Sequence, residues 1–227
     1  MRDDLLQVRN YGVCFYVLRD ADALYLIDTG FLGATACLGR ALKKRGWSEL
    51  PIRGIILTHG HLDHILNVAG FARRNDAWVA APRLDIAHYL GAPRYSGLGR
   101  ITGAMENIGR RIFSYEAFAP DRLLDDGDVL DVWHGLRAVH FPGHTRGHTG
   151  YFCEKLGLLF SADLFASFRT FTHLPPAIFN CDSAQAKASL HLAVRLPIRQ
   201  VVPNHCDQAS PGEHLKRLAV LHRNNLP

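Results

Sequence analysis

Long apolar runs are missing from this sequence: no uninterrupted stretch approaches the roughly 20 residues a bilayer-spanning helix needs. Its first residues, Met1-Arg2-Asp3-Asp4-Leu5-Leu6-Gln7, lack the basic head and apolar core of a secretory signal, so a cytoplasmic protein with no membrane partner is expected. Cysteine is sparse. Cys14, Cys37, Cys153, Cys181 and Cys206 are odd in number, scattered and free of any Cys-x-x-Cys pair, which argues against a disulfide framework and for a reducing compartment. No Gly-x-Ser-x-Gly element is present, so a serine nucleophile on a strained elbow is not expected. Repeats, low-complexity tracts and linkers are absent too. With 48% apolar and 21% charged residues, the 227-residue chain has the composition of a folded protein rather than a disordered one.

Charge of one sign is also not concentrated anywhere. The formal net charge is +5, but the longest basic run is Lys43-Lys44-Arg45, directly followed by Gly46. Three cations before a glycine read as the solvated end of a helix, where they complement the dipole. No nucleic-acid partner is expected, and a small, mildly anionic substrate fits the charge equally well.

Strand and helix patterns alternate along the chain. Val13 to Val17 and Leu24 to Ile27 are apolar runs around the turn Arg19 to Asp22, a hairpin. A helix is predicted over Ala34–Arg45, then a strand at Ile55 to Leu57, a helix over about Ile65 to Arg74, a strand at Trp78 to Ala81, and a helix over Pro82 to Leu90. The pattern loosens between Gly91 and Pro120. Leu123 to Val132 and the strand Leu136 to Phe141 follow, with a second hairpin formed by Tyr151 to Cys153 and Leu158 to Ser161. A helix over Ser183 to Leu196, a strand at Gln200 to Val202 and a helix over Pro211 to Asn224 complete one mixed α/β domain spanning residues 1–227.

What the chain has in plenty is histidine, 13 in all. The densest group is Thr58-His59-Gly60-His61-Leu62-Asp63-His64, directly after a predicted strand. In an extended loop alternate residues share a face, so His59 and His61 can point the same way while Asp63 and His64 turn toward a neighbouring point. Imidazole nitrogen and carboxylate oxygen are the donors a catalytic Zn²⁺ takes, so this one loop can hold two metals. A second group, Pro142-Gly143-His144-Thr145-Arg146-Gly147-His148, leaves another strand. Asp163 follows Leu158 to Phe160, and His205 follows Val201-Val202. Four strand exits thus end in metal-competent side chains, as a site built from loops on one sheet edge would require.

In this order, Thr58 to His64, Pro142 to His148, Asp163 and His205 resemble the metallo-β-lactamase superfamily of binuclear metallohydrolases, a resemblance that begins at Leu26-Ile27-Asp28-Thr29-Gly30. It implies a four-layer αββα sandwich with two divalent metal ions at one edge. Carried over, His59, His61 and His144 would bind one metal, Asp63, His64 and His205 the other, and Asp163 would bridge them. Zn²⁺ is the expected ion, with iron and manganese also compatible. Asp63 is in addition the candidate catalytic group, as a carrier of protons. Asp28 would support the metal loop from behind, and His148 is expected beside the ligands rather than among them. His205 stands between Asn204 and Cys206, where many relatives have glycine on both sides. Cys206 is therefore either a thiolate near the second metal or a small buried residue. His88, His134, His140, His173, His191, His214 and His222 are expected to have no catalytic part, His173 being the nearest to one.

What the resemblance implies is hydrolysis of a small ester-like bond, a thioester or lactone, by metal-activated hydroxide. Relatives of the glyoxalase II type carry a C-terminal helical extension that helps bind glutathione, and only 22 residues follow His205 here, so a lactonase-like or other thioesterase-like substrate is expected. Two rivals remain: a persulfide dioxygenase-like oxidoreductase with one iron on His59, His144 and Asp163, and a metal-bound regulatory protein with little turnover. Gly91 to Pro120, with Tyr95, Phe113 and Tyr115 among four arginines, is either a lid over an anionic acyl substrate or an irregular surface connection. Phe165, Phe168, Phe171 and Phe179 make the loop 165–182 a candidate apolar wall.

Overall fold

Val13 to Leu18 is apolar at every position, which a strand covered on both faces requires. In the computed structural model, which describes residues 2–226, that run lies inside the strand β2. The order of elements is β1 (Leu5–Asn10), β2 (Val13–Asp20), β3 (Ala23–Ile27), α1 (Ala34–Arg45), β4 (Ile52–Ile56), α2 (Leu62–Ile65), α3 (Val68–Asn75), β5 (Trp78–Pro82), α4 (Ile86–Tyr89), α5 (Gly99–Ile112) and β6 (Arg122–Leu124). Then come β7 (Val129–Leu130), β8 (Leu136–His140), β9 (Thr149–Cys153), β10 (Leu158–Ala162), β11 (Ala166–Ser167), β12 (Thr172–His173), α6 (Ser183–Ala193), β13 (Gln200–Pro203) and α7 (Pro211–Asn224).

The first sheet has the order β1-β2-β3-β4-β5-β6, antiparallel through β3 and parallel from β3 onward. The second has the order β13-β10-β9-β8-β7, with β10 and β13 parallel and the rest antiparallel. Alternate side chains sort into three cores. Phe15, Val17, Leu24, Leu26 and Ile55 pack against α1 and α3 through Leu38, Leu42 and Phe71. Their neighbours Cys14, Tyr16, Leu18, Ile27 and Ile56 meet Tyr151, Phe160 and Val202 of the other sheet. On its far face, Val139, Phe152 and Leu159 pack on Leu190 of α6 and Leu218 of α7. Helix, sheet, sheet, helix: this is the expected αββα sandwich. Among the described residues no helix is long and apolar enough to cross a membrane.

Local chemistry sets the helix ends. Lys43, Lys44 and Arg45 fill the last turn of α1, which stops at Gly46 in the left-handed region (φ 73°). Ser210 caps α7 by accepting from Glu213 N, with Pro211 in the first turn, and Asp182 caps α6 through Gln185 N. Both predicted hairpins form, Tyr16 pairing Ile27 and Leu158 pairing Cys153.

Three expectations need correction. The edge strand β1 was not anticipated, because Gln7, Arg9 and Asn10 interrupt its apolar residues. Helices predicted over Ile65 to Arg74 and Pro82 to Leu90 are each shorter or broken, the first into α2 and α3, the second into a 3₁₀ turn (Arg83–Asp85) and α4. The loose stretch 91–120 contains a 14-residue helix, α5, with inverted polarity. Its buried face carries Gly99, Thr102, Gly103, Glu106, Gly109 and Arg110, while Ile101, Met105, Ile108 and Ile112 are exposed. Of the four arginines in the stretch, Arg94, Arg100 and Arg111 are exposed and Arg110 is buried.

Two buried tyrosines pin the sheets together at one edge: Tyr16 Oη donates to Pro203 O and Tyr151 Oη to Leu57 O, each at 2.6 Å. Main-chain bonds join the sheets there too, Cys14 N to Asn204 O (2.6 Å) and Thr149 N to Thr58 O (2.9 Å). At this edge β3, β4, β5, β8, β10 and β13 end and β9 begins.

Candidate metal centre

Every predicted ligand arrives at this edge on the exit of a strand. Thr58 leaves β4 with its amide donating to Asp28 Oδ1 (2.8 Å) and its hydroxyl to Asp28 Oδ2 (2.7 Å). Asp28 Oδ2 also accepts from His64 Nδ1 (2.9 Å) and Asn204 Nδ2 (2.6 Å). Asp28 thus stands behind the loop 58–64 as expected, in a left-handed backbone conformation (φ 62°) that its tight bend after β3 requires.

These contacts fix the imidazole tautomers. Because the Thr58 hydroxyl is spent on Asp28, His59 Nδ1 (3.0 Å away) must donate to Thr58 Oγ1, leaving Nε2 with a free lone pair. His64 Nδ1 donates to Asp28, His144 Nδ1 to Asn180 Oδ1 (3.0 Å) and His205 Nδ1 to Gly12 O (3.1 Å). The Nε2 atoms of His59, His61, His64 and His144 are buried without a hydrogen-bond partner among the described residues, as is Asp163 Oδ1. Leaving five such atoms unpaired costs folding free energy, which a bound cation or ordered water recovers.

Asp163 Oδ2 is the hub of the cluster. It lies 3.1 Å from His205 Nε2, 3.4 Å from His64 Nε2, 3.4 Å from His144 Nε2 and 3.9 Å from His59 Nε2. Asp63 Oδ2 stands 3.6 Å from His64 Nε2 and 3.5 Å from His205 Nε2. Donors at 2.0–2.2 Å from one tetrahedral ion stand about 3.4 Å apart, so these spacings suit metals shared between neighbouring ligands. Three overlapping triads have donor atoms within 4.8 Å of one another: His59, His61 and His144; His59, His64 and Asp163; Asp63, His64 and His205. The structure therefore brings all seven predicted ligands together, and the donor set fits two divalent cations.

Charge within the cluster is divided. Burial drives the His59 and His61 imidazoles well below their ordinary value, and the neighbouring rings push the same way. Burial opposes the charge on His64 and His205 as well, but the carboxylates of Asp163 and Asp63 outweigh it and hold both well above. Asp163 is held well below the carboxylate range against its own burial, by His205 and His64.

His148 offers the cluster no free ring nitrogen. Its Nε2 accepts from Asp163 N (3.1 Å), so Nδ1 donates to Phe141 O (2.9 Å), and both ring nitrogens are spent on backbone. Burial and the nearby His144 push its pKa down to about 3. Its role is to hold the main chain of Asp163. Cys206 turns away into the core between the sheets, within 3.0 Å of Pro203 O and 3.8 Å of Cys14 Sγ, so the reading as a thiolate ligand gives way to that of a small buried residue.

Sequence reasoning missed the carboxylates that hold the loops. Asp85, fully buried, accepts from Gly60 N (2.9 Å), Thr145 Oγ1 (2.6 Å) and Gly147 N (2.7 Å), and so ties the two histidine loops to each other. Glu106 of α5 accepts from Leu62 N (2.8 Å) and from the Tyr95 hydroxyl. Arg110 reaches His88 O (3.0 Å), and His88 Nδ1 donates to Gly60 O (3.0 Å), so His88 supports the metal loop rather than being incidental. The packing is tight: a Cβ on Gly60 would meet the His88 Cβ at 2.3 Å. Of these, only Glu106, an acid set in a basic, glycine-rich stretch, stands out in the sequence.

The cluster lies at the end of a cavity of about 490 Å³. His61, Asp63, His144, Asp163 and His205 reach it, Phe165, Phe168, Phe171 and Phe179 form a wall as expected, and His173 lines its rim, stacked on Phe171 (5.3 Å, 17°). Met105, Glu106 and Phe113 of the α5 region form the opposite side, so this stretch does border the cavity, but none of its arginines does.

Comparison with known proteins agrees with this geometry. A hydroxyacylglutathione hydrolase of Aeromonas hydrophila subsp. hydrophila is 30% identical over 152 residues, covering 66% of this chain and 45% of its own length. The chain spans about half the length of the hydroxyacylglutathione hydrolases it matches, 50% for that of Chelativorans sp.. Among solved structures, a metallo-beta-lactamase family protein of Thermus thermophilus superposes with a TM-score of 0.72 at 22% identity, over 97% of this chain and 78% of that one. Another protein, crystallised in a di-iron-bound form, superposes at 0.66 with 23% identity, over 93% and 97%. At these identities the structural likeness speaks for the fold alone. The model of the metallo-beta-lactamase superfamily, however, matches residues 10–205, from the end of β1 through the last histidine of the cluster. The chain belongs to the metallo-beta-lactamase superfamily.

Proposed function

We propose that the protein is a two-metal hydrolase of a small ester-like bond, a thioester or lactone. One observation carries this reading: four buried imidazole nitrogens lack partners, those of His59, His64 and His144 within 3.9 Å of Asp163 Oδ2 and that of His61 grouped with His59 and His144, while the opposite ring nitrogens of His59, His64 and His144 are already spent on the protein. His59, His61 and His144 would hold one cation, Asp63, His64 and His205 the second, with Asp163 shared. Zinc suits these borderline nitrogen and oxygen donors, and a structural neighbour with two irons makes iron the alternative. Bound there, two cations would supply Lewis acidity toward a carbonyl oxygen and would lower the pKa of water toward neutrality.

The protein's own part is positioning. Asp28, Asn180 and Gly12 fix the tautomer and direction of His64, His144 and His205. Asp63 contacts His64 and His205 through Oδ2, which leaves Oδ1 available at the cavity to take a proton from the attacking water and return it to the departing oxygen or sulfur. The apolar walls keep bulk water from the attacked carbonyl and so strengthen every charge interaction within the site.

Metal content together with turnover of a panel of esters, thioesters, lactones and phosphodiesters tests the reading. About two metals per chain are expected, with turnover of an ester-like member lost in His59→Ala and Asp163→Ala while the far-UV circular dichroism is kept. Turnover that persists in a metal-depleted, folded chain would refute it, as would a single iron with oxygen uptake.

A further inference from the structure

Resting on the hydrolase reading above, we infer that the part of the substrate gripped beside the scissile bond is an uncharged apolar chain, acyl or aryl, and not an anionic peptide such as glutathione. The cavity is walled by six phenylalanines, Phe31, Phe113, Phe165, Phe168, Phe171 and Phe179. Met105 and the pair Pro175-Pro176 fill the spaces between them. Phe31 and Phe113 meet edge-on at 5.3 Å, and Phe168 and Phe171 lie 4.8 Å apart, so the rings brace one another as a formed wall.

Among the described residues no lysine or arginine lines this space, although the chain carries 26 of them. The donors on the wall away from the metal cluster are already engaged. Thr102 Oγ1 donates to Ile178 O, Glu106 binds Leu62 N and the Tyr95 hydroxyl, and His173 at the rim donates Nδ1 to Leu174 O, which leaves only its Nε2 lone pair, an acceptor, toward solvent. A carboxylate-bearing ligand would be stripped of water here without a cation to replace it, which is costly. An aliphatic or aromatic group meets the reverse situation, because it covers apolar surface that water now touches. Met105, Phe171 and Phe179 are 59%, 49% and 37% exposed at the mouth, and a seated chain removes that exposure.

The test compares phenyl thioesters of acetate and hexanoate with a hydroxyacylglutathione thioester on the zinc-loaded protein. Four added methylenes in an apolar wall should raise kcat/KM by about 100-fold, and the glutathione thioester should fall below the hexanoyl one. Phe171→Arg puts a cation at the half-exposed rim, where the fold is not at risk, and should reverse much of that preference. A flat dependence on chain length, or preference for the glutathione thioester, would overturn the inference. Calorimetric titration with octan-2-one, which has no cleavable bond, separates this outcome from failure of the hydrolase reading. Binding with a negative heat-capacity change, weakened in Phe171→Arg, upholds the apolar site even when no thioester is turned over. Tighter binding of reduced glutathione overturns it.

Discussion

Asp85→Asn is the sharpest probe of how the site is held. The Asp85 carboxylate, buried without a paired cation among the described residues, accepts three hydrogens: from Gly60 N and Thr145 Oγ1 at Oδ2, and from Gly147 N at Oδ1. An asparagine can satisfy two of them if its carbonyl takes the Oδ2 place. Its amide then faces the Gly147 N–H, donor against donor. A hydrogen bond to a charged group contributes about 1.5–3 kcal/mol, and a buried donor without an acceptor costs about 1–3 kcal/mol, so a loss of about 3 kcal/mol is expected. Asp85→Ala would remove all three bonds and leave a cavity, at a cost near the whole stability of a small domain, roughly 5–15 kcal/mol, and is the poorer choice. Urea unfolding reads the loss as a lower midpoint at unchanged slope. Zinc titration reads the functional consequence. Because Asp85 joins the loop of His59 and His61 to that of His144, affinity for the metal proposed on those three should fall about 10–100-fold. The cation proposed for Asp63, His64 and His205, which Asp85 does not touch, should bind as before. A stability loss below about 0.5 kcal/mol, the range of surface substitutions, or equal weakening of both metals would refute the reasoning.

His148 gives a pH signature. It stays neutral in the fold down to about pH 3, because burial and the hydrogen from Asp163 N at Nε2 both disfavour a second proton. In the unfolded chain it is protonated near pH 6.5, so the unfolded state binds more protons between those values and stability is full above pH 6.5 and falls as pH falls. Between pH 7 and pH 5 this residue should account for about 2 kcal/mol of lost stability. Urea unfolding of wild type and His148→Asn at both pH values isolates that share, and identical pH dependence in the two proteins would sink the assignment. Asn180 directs His144 through Oδ1 while its amide donates to Pro175 O (3.0 Å) and Ser183 Oγ (3.1 Å). Asn180→Ala should weaken the metal on His144 by about 10-fold in a chelator competition, and Asn180→Asp, which still accepts from Nδ1, should retain it; equal behaviour of the two variants would show that the contact does not orient the ring.

Why the ligands were legible and their supports were not follows from the kind of atom each one uses. His59, His61, Asp63 and His64 bring their own side chains to the cluster from one short segment, the extended exit of β4 and the single turn of α2, so their closeness in sequence is their closeness in space, and the order of His144, Asp163 and His205 follows from the strand exits. Asp28 was reached only through the family resemblance. Asp85, Glu106 and Asn180 act on groups 25 to 62 residues away, and two of them act on backbone amides, which every non-proline residue possesses. An amide leaves no mark in the sequence, so its acceptor cannot be paired with it in advance.

The helix α5 shows the same limit in the fold. Periodicity identifies a helix when its apolar side faces the core, yet here the core-facing side is Gly, Thr, Glu and Arg, and three glycines each lower helix propensity by about 1 kcal/mol. The reason for that inversion lies in the metal loop. Leu62 N sits at the start of α2, and its donor has to be met by a side chain from outside the loop, which Glu106 supplies while Arg110 covers the carbonyls of His88 and Gly60. A polar face was needed inward, close to the site, and small residues let the helix approach. The apolar side was left to the exterior and to the cavity, where Met105 serves both. Where a sheet edge is given over to chemistry, the elements around it are shaped by the hydrogen bonds of the site before they are shaped by the burial of apolar surface.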